Sequence, residues 1–200
     1  MSNTSEETIE EESSSTREEI LKIAEDFFSN FGYLGTALSQ VAKAVDITKA
    51  SIYYYFNSKQ ELFEEVLDKS FNEIKTVLKD IICLPIEESK KLEKITLAYL
   101  EYGSKHSSLI QSVLSKVSYN EELIVIKTIR KLKLAIIKLI EPLIKKVLAE
   151  RNELKKLDSE LVTRLYFNMM DSFLIGNSFK GSNFQHKDVA RQINTLLFKS

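Results

Sequence analysis

Thr36-Ala-Leu-Ser-Gln-Val41-Ala-Lys-Ala-Val-Asp46-Ile-Thr48-Lys-Ala-Ser-Ile52-Tyr53-Tyr-Tyr-Phe56-Asn-Ser58-Lys-Gln-Glu61 decides how this chain folds. Thr36, Thr48 and Ser58 are each suited to a helix N-cap, and each precedes apolar residues at helical spacing. Leu38, Val41, Ala42 and Val45 mark one face of a short helix over about 37–44. Thr48 opens a second short helix over about 49–55, with Ile52 and Phe56 one turn apart as its core pair. Ser58-Lys-Gln-Glu61 is a capping box. It starts a longer helix carrying Leu62, Phe63, Val66, Leu67, Phe71, Ile74 and Leu78. Two short helices joined by a tight turn and flanked by longer amphipathic ones are the layout of a helix-turn-helix.

Upstream, Thr16-Arg-Glu-Glu19 reads as another capping box. Ile20, Ile23, Ala24, Phe27 and Phe31 then form the apolar face of a helix over about 17–31, which Gly32 ends as a C-cap. Residues 1–15 are Ser, Thr and Glu with almost nothing apolar, so a disordered acidic tail is expected there. Downstream, Pro85 breaks the chain, and helices are expected near 87–105, 107–117, 121–150, 159–179 and 187–198. Ser118 and Asp158 are placed to cap two of them, and Pro142 should kink the long central one. The expected fold is all-α: a tail over 1–15, a helix-turn-helix domain over 16–70 and a larger helical domain over 71–200.

Composition agrees with this and excludes much else. A chain of 200 residues with 44% hydrophobic and 28% charged residues can bury a real core, and 5 Gly with 2 Pro are too few for the many turns of an all-β fold. The lone cysteine, Cys83, sits in an apolar stretch and reads as a small buried hydrophobe. His106 and His186 have no ligand cluster around them, so neither a metal nor another cofactor is indicated. Leu132 to Leu148, the most apolar region, is interrupted by Lys133, Lys138, Glu141, Lys145 and Lys146. A transmembrane span is excluded and a cytoplasmic protein, without a signal peptide, is expected. Net charge is −1, so composition lends no support to nucleic-acid binding. Between residues 16 and 62, Arg17, Lys22, Lys43, Lys49 and Lys59 face Glu18, Glu19, Glu25, Asp26, Asp46 and Glu61.

The local chemistry does support it. A helix docked in the major groove needs N–H groups facing phosphates, hydroxyls and ammoniums reaching phosphate oxygens, and a few side chains reaching base edges. Thr36 and Thr48 place hydroxyls at the starts of two helices, and Lys49 and Ser51 lie in the first turn of the second. Tyr53, Tyr54 and Tyr55 are consecutive, point about 100° apart, and so cannot all be core. At least two should be exposed, and clustered exposed aromatics mark an interface. Lys59 stands in the first turn of the next helix, where the macrodipole disfavours a cation unless an anionic partner is intended.

Thr36, Val41-Ala42, Ile47-Thr48, Ile52-Tyr53, Phe56, Lys59 and Leu62 together resemble, in type and spacing, the N-terminal domain of TetR-family transcriptional repressors, over roughly residues 16–70. The resemblance implies that Thr36, Thr48, Lys49, Tyr53, Tyr54, Tyr55 and Lys59 contact duplex DNA, mostly at phosphates, with Lys49 and Ser51 placed to touch bases. Asp46 stands where the family usually has Gly; Asp tolerates left-handed backbone better than most residues, so the turn should survive. Ala50 is a milder departure of the same kind.

The resemblance further implies that residues 71–200 dimerise and hold a small-molecule effector, whose binding releases the DNA. Leu161, Leu165, Met169, Phe173 and Leu174, with Val189, Ile193, Leu196 and Leu197 on the last helix, make stripes that suit a homodimer interface and suit a monomer core equally. Tyr102, His106, Gln111, Asn168 and Asp171 are polar groups on apolar helices, which read either as the lining of a pocket or as groups partly exposed or satisfied locally. The long helix is rich in Lys and Arg, which reads either as a solvated face or as a site for an acidic effector. Three other readings stand beside a ligand-released repressor: a TetR-like DNA-binding protein without ligand, an activator, and a helical protein-interaction module. An enzyme is not expected, because no nucleophile, base and carboxylates converge in the sequence.

Overall fold

The computed structural model describes the backbone of residues 3–106, 122–180 and 184–198, and side chains over 14–106, 127–174 and 184–198. Among these residues there are eight helices and no strand: α1 Asn3–Gly35, α2 Leu38–Ala44, α3 Lys49–Tyr55, α4 Lys59–Ile82, α5 Glu88–Lys105, α6 Glu122–Ala149, α7 Ser159–Lys180 and α8 His186–Phe198. The all-α expectation holds. The helix expected over 107–117, the Ser118 cap and Gln111 lie outside the described residues. The chain divides into two compact units, the first comprising 3–69 with 122–125 and the second 70–106 with 126–198. α4 begins in the first and ends in the second.

The first unit is built on caps and a small aromatic core. Ser58 Oγ accepts the Glu61 amide at 3.0 Å and so caps α4, while the Glu61 carboxylate accepts the Asn57 amide at 2.7 Å, one residue before the Ser58 amide that a full capping box would take. Ile52 and Phe56 are completely buried, as their spacing required, and join Ile20, Ala24, Phe28, Val41, Leu62 and Phe63. Burying each such side chain is worth roughly 1.5–3 kcal/mol. Arg17 pairs with Glu65 and lies over the Phe56 ring at 4.9 Å, and Lys69 pairs with Glu18, tying α1 to α4.

Three expectations fail in this unit. α1 starts at Asn3 and runs through Thr16, which is therefore no N-cap. Extending a helix costs far less than nucleating one, and a Glu-rich run at its N-terminus is favoured by the macrodipole. Phe27 is only half-buried and Phe31 is 50% exposed, while Leu21 and Phe28 take the core positions. Adjacent phenylalanines offer two faces with one period, and only packing decides between them. Gly32 does break the helix, with φ 74°, but the N-cap of α2 is Ala37, not Thr36.

The second unit packs α5, α6, α7 and α8 with the end of α4 around Leu78, Leu92, Ile95, Ile140, Ile144, Phe167 and Met170. Asp158 caps α7 by accepting the Leu161 amide at 2.7 Å. Pro142 is carried inside one continuous α6. A buried polar network crosses the core. Thr96 Oγ1 lies 2.5 Å from the Tyr166 hydroxyl, Asn194 Nδ2 donates to Thr96 Oγ1 at 2.6 Å, and both hydroxyls reach the Leu92 carbonyl. Cys83 is exposed, correcting its expected burial, because it follows the end of α4 in the turn that Pro85 imposes.

Candidate nucleic-acid interface

The interface is organised by the turn between α2 and α3. The Asp46 amide donates to the Lys43 carbonyl at 3.3 Å and the Ile47 amide to the Ala42 carbonyl at 3.0 Å. This pair of bonds is the Schellman arrangement, which needs a left-handed residue after the C-cap. Asp46 supplies it with φ 58°, so the turn survives the missing glycine. Ile47 is then followed directly by Thr48, the N-cap of α3, whose Oγ1 accepts the Ser51 amide at 3.0 Å. Thr48 Oγ1 and Ser51 Oγ also lie 2.8 Å apart.

With Ile52 fixed inward, α3 turns Lys49 and two tyrosines outward. Tyr53 is 46% and Tyr54 79% exposed, while Tyr55 is half-buried and meets Tyr54 edge-on at 5.1 Å. Lys49 is exposed, with its ammonium 5.9 Å from the centre of the Tyr53 ring. Thr48, Lys49, Ser51, Tyr53 and Tyr54 thus share one helix start and its exposed surface. Lys59 is half-buried; its Nζ donates to the Leu34 carbonyl at 3.4 Å and stands 4.5 Å from the Tyr33 ring centre. Thr36 does not belong with these residues. It is 1% exposed and its hydroxyl donates to the Gly32 carbonyl at 2.8 Å, closing the break in α1 instead of presenting itself at α2. The Ala37 amide is met by Gln40 Oε1 at 3.2 Å. Tyr33 and Leu34, as holders of Lys59, carried no signal in the sequence, since their contact with it spans nearly half the domain.

The four described residues expected to line an effector pocket, Tyr102, His106, Asn168 and Asp171, fall into two bonded groups. The Tyr102 hydroxyl bonds Ser70 and its ring stacks on His106 at 4.3 Å. Asp171 belongs to a different group. It pairs with Lys133 and accepts the Tyr99 hydroxyl at 2.8 Å, while Asn168 Oδ1 accepts from Lys133 at 3.3 Å. Burial first, and then the Asp171 charge, hold the Tyr99 phenol well above its ordinary pKa. Gln111 is outside the described residues. Among the grooves formed by the described residues, two are open and shallow. One of about 410 Å³ runs along α6 over Lys127, Arg130, Lys131, Leu134, Ala135 and Lys138. The other, about 430 Å³, lies between α7 and α8 and includes Asn168, Met169, Phe173 and Ile193.

A Schellman turn leading straight into a capped, outward-facing α3 defines a helix-turn-helix domain of the kind that reads the major groove. Residues 20–66 match the family described as bacterial regulatory proteins, tetR family, and this N-terminal domain belongs to that family. The chain is 32% identical over 94 residues to the uncharacterized HTH-type transcriptional regulator YhgD of Bacillus subtilis, covering 46% of this chain and 48% of that one. It is 37% identical over 62 residues to the biofilm operon icaADBC HTH-type negative transcriptional regulator IcaR of Staphylococcus aureus, covering 31% and 33%. It therefore spans at most about half the length of these relatives. Beyond that region the similarity is one of fold. The transcriptional regulator FadR of Bacillus subtilis, in complex with stearoyl-CoA, superposes with a TM-score of 0.74 at 17% identity, over 90% of this chain and 96% of that one.

Proposed function

We propose that this chain is a homodimeric DNA-binding repressor of transcription, released from a palindromic operator by a small-molecule effector. The observation that carries this is the α3 surface: a Thr48-capped helix start with Lys49 and Ser51 in its first turn and Tyr53 and Tyr54 exposed beside them. Thr48, Lys49, Tyr53, Tyr54, Tyr55 and Lys59 would meet phosphates, and Lys49 and Ser51 base edges. Ser51 must exchange its contact with Thr48 to do so. Repression is favoured over activation by the negative regulator among the relatives. No described helix is long and apolar enough to cross a membrane, consistent with a protein working where the DNA is.

A dimer is needed to engage two half-sites about 34–36 Å apart. Leu161, Leu165 and Leu196 are 56%, 50% and 73% exposed, an apolar cost that a second copy covering α7 and α8 would remove. The effector would shift the dimer between geometries for which it has different affinity. An acidic amphiphile would suit the open groove along α6, where Lys127, Arg130, Lys131 and Lys138 stand beside Leu134 and Ala135. The FadR structure with stearoyl-CoA supports that class of ligand.

In vitro selection of duplexes on the purified protein, followed by binding titrations across salt, tests the reading. A palindromic site bound by a dimer, with affinity falling steeply as salt rises, is expected from counterion release. Binding of a protein partner with no salt-dependent duplex binding would leave the interaction-module reading in its place.

A further inference from the structure

The Lys59 ammonium is held by two neutral, electron-rich groups, the face of the Tyr33 ring at 4.5 Å and the Leu34 carbonyl at 3.4 Å. The ring cannot swing away. Tyr33 is 8% exposed, stacked on Phe28 with ring centres 6.2 Å apart and met by Phe63 at 5.0 Å. Gly32, with its positive φ, kinks the chain just before; Tyr33 follows it buried, and the Leu34 carbonyl lies within reach of Lys59 on α4. Both groups attract a cation, the ring by its quadrupole and the carbonyl by its dipole. Neither of these two contacts carries net charge, so neither cancels the ammonium's field. They also offset its unfavourable place in the first turn of α4. A lysine already restrained loses less side-chain freedom when it meets a phosphate than one moving in water.

We propose that Tyr33 is a positioning residue for duplex binding, its ring holding the Lys59 ammonium ready for a phosphate. This rests on the DNA-binding reading given above. The test is a double-mutant cycle read by fluorescence anisotropy, with a duplex selected on the wild-type protein. Tyr33→Leu should weaken binding about three- to tenfold, and Tyr33→Phe, which keeps the ring, should restore it to within about twofold. In a Lys59→Met background, Tyr33→Leu should change affinity no further. Equal losses in both backgrounds overturn the proposal and leave Tyr33 as packing alone. Should Tyr33→Leu fail to fold, the wild-type NMR spectrum decides: ring currents must move the Lys59 ε-methylene protons upfield, and ordinary shifts there overturn the pairing. That readout needs no DNA. A wild-type protein that binds no duplex but shows the shift refutes the DNA reading and retains the contact.

Discussion

The Ile47 amide reaches the Ala42 carbonyl at 3.0 Å, and the bond closes because Asp46 between them stands at φ 58°. A side chain in that conformation is strained relative to glycine, and the strain sits in the turn that aims α3. Asp46→Gly should therefore stabilise the protein by about 0.5–1 kcal/mol, read as a raised urea midpoint with unchanged slope. Asp46→Val, β-branched at positive φ, should lower it by more than that gain.

Thr48 is the cap on which the recognition surface depends. Thr48→Ala removes the acceptor for the Ser51 amide and should cost about 1 kcal/mol of stability. Thr48→Ser should recover most of it, because the capping oxygen is retained. The same pair of variants measured for duplex affinity should rank in the same order.

Burial raises the pKa of both Tyr99 and Tyr166, against an ordinary value of 10.0. Below pH 10 both phenols are neutral in folded and unfolded chains and contribute no pH dependence. Above it the unfolded chain releases protons that the folded one retains, so stability falls as pH climbs, by up to about 1.4 kcal/mol per unit for each tyrosine. Thermal unfolding between pH 9 and 11 should show this fall, and Tyr166→Phe should reduce its slope while Tyr99 keeps its share. An unchanged slope in that variant would remove Tyr166 as its source.

Leu196, 73% exposed on α8, gives the cleanest test of dimerisation because little monomer packing is lost with it. Leu196→Asp should halve the mass seen by light scattering while leaving the helical circular dichroism unchanged. Operator affinity should drop with the mass. A dimer that survives this substitution and Leu165→Asp would place the interface elsewhere.

What the sequence disclosed was mostly local. The caps at Thr48, Ser58 and Asp158, the Gly32 break and the Ile52–Phe56 pair each rest on interactions within one turn, which spacing encodes directly. Several of the differences are decided at a distance. Phe28 displaced Phe31 from the core because Tyr33 and Phe63 close around it, with Phe28 5.0 Å from Phe63. Thr36 looked like a cap and became the buried partner of the Gly32 carbonyl. The partners of the polar residues expected at a pocket were not legible either: Tyr102 bonds Ser70 and Asp171 pairs with Lys133, each on another helix. No periodicity could have linked Tyr33 to Lys59.

Cys83 has a practical consequence. It is the only thiol in the chain and it is exposed, in the turn just beyond α4. A spin label attached there marks each protomer once without any further substitution. A dimer would then carry a single label-to-label distance, a built-in ruler for comparing the assembly free, on DNA and with effector.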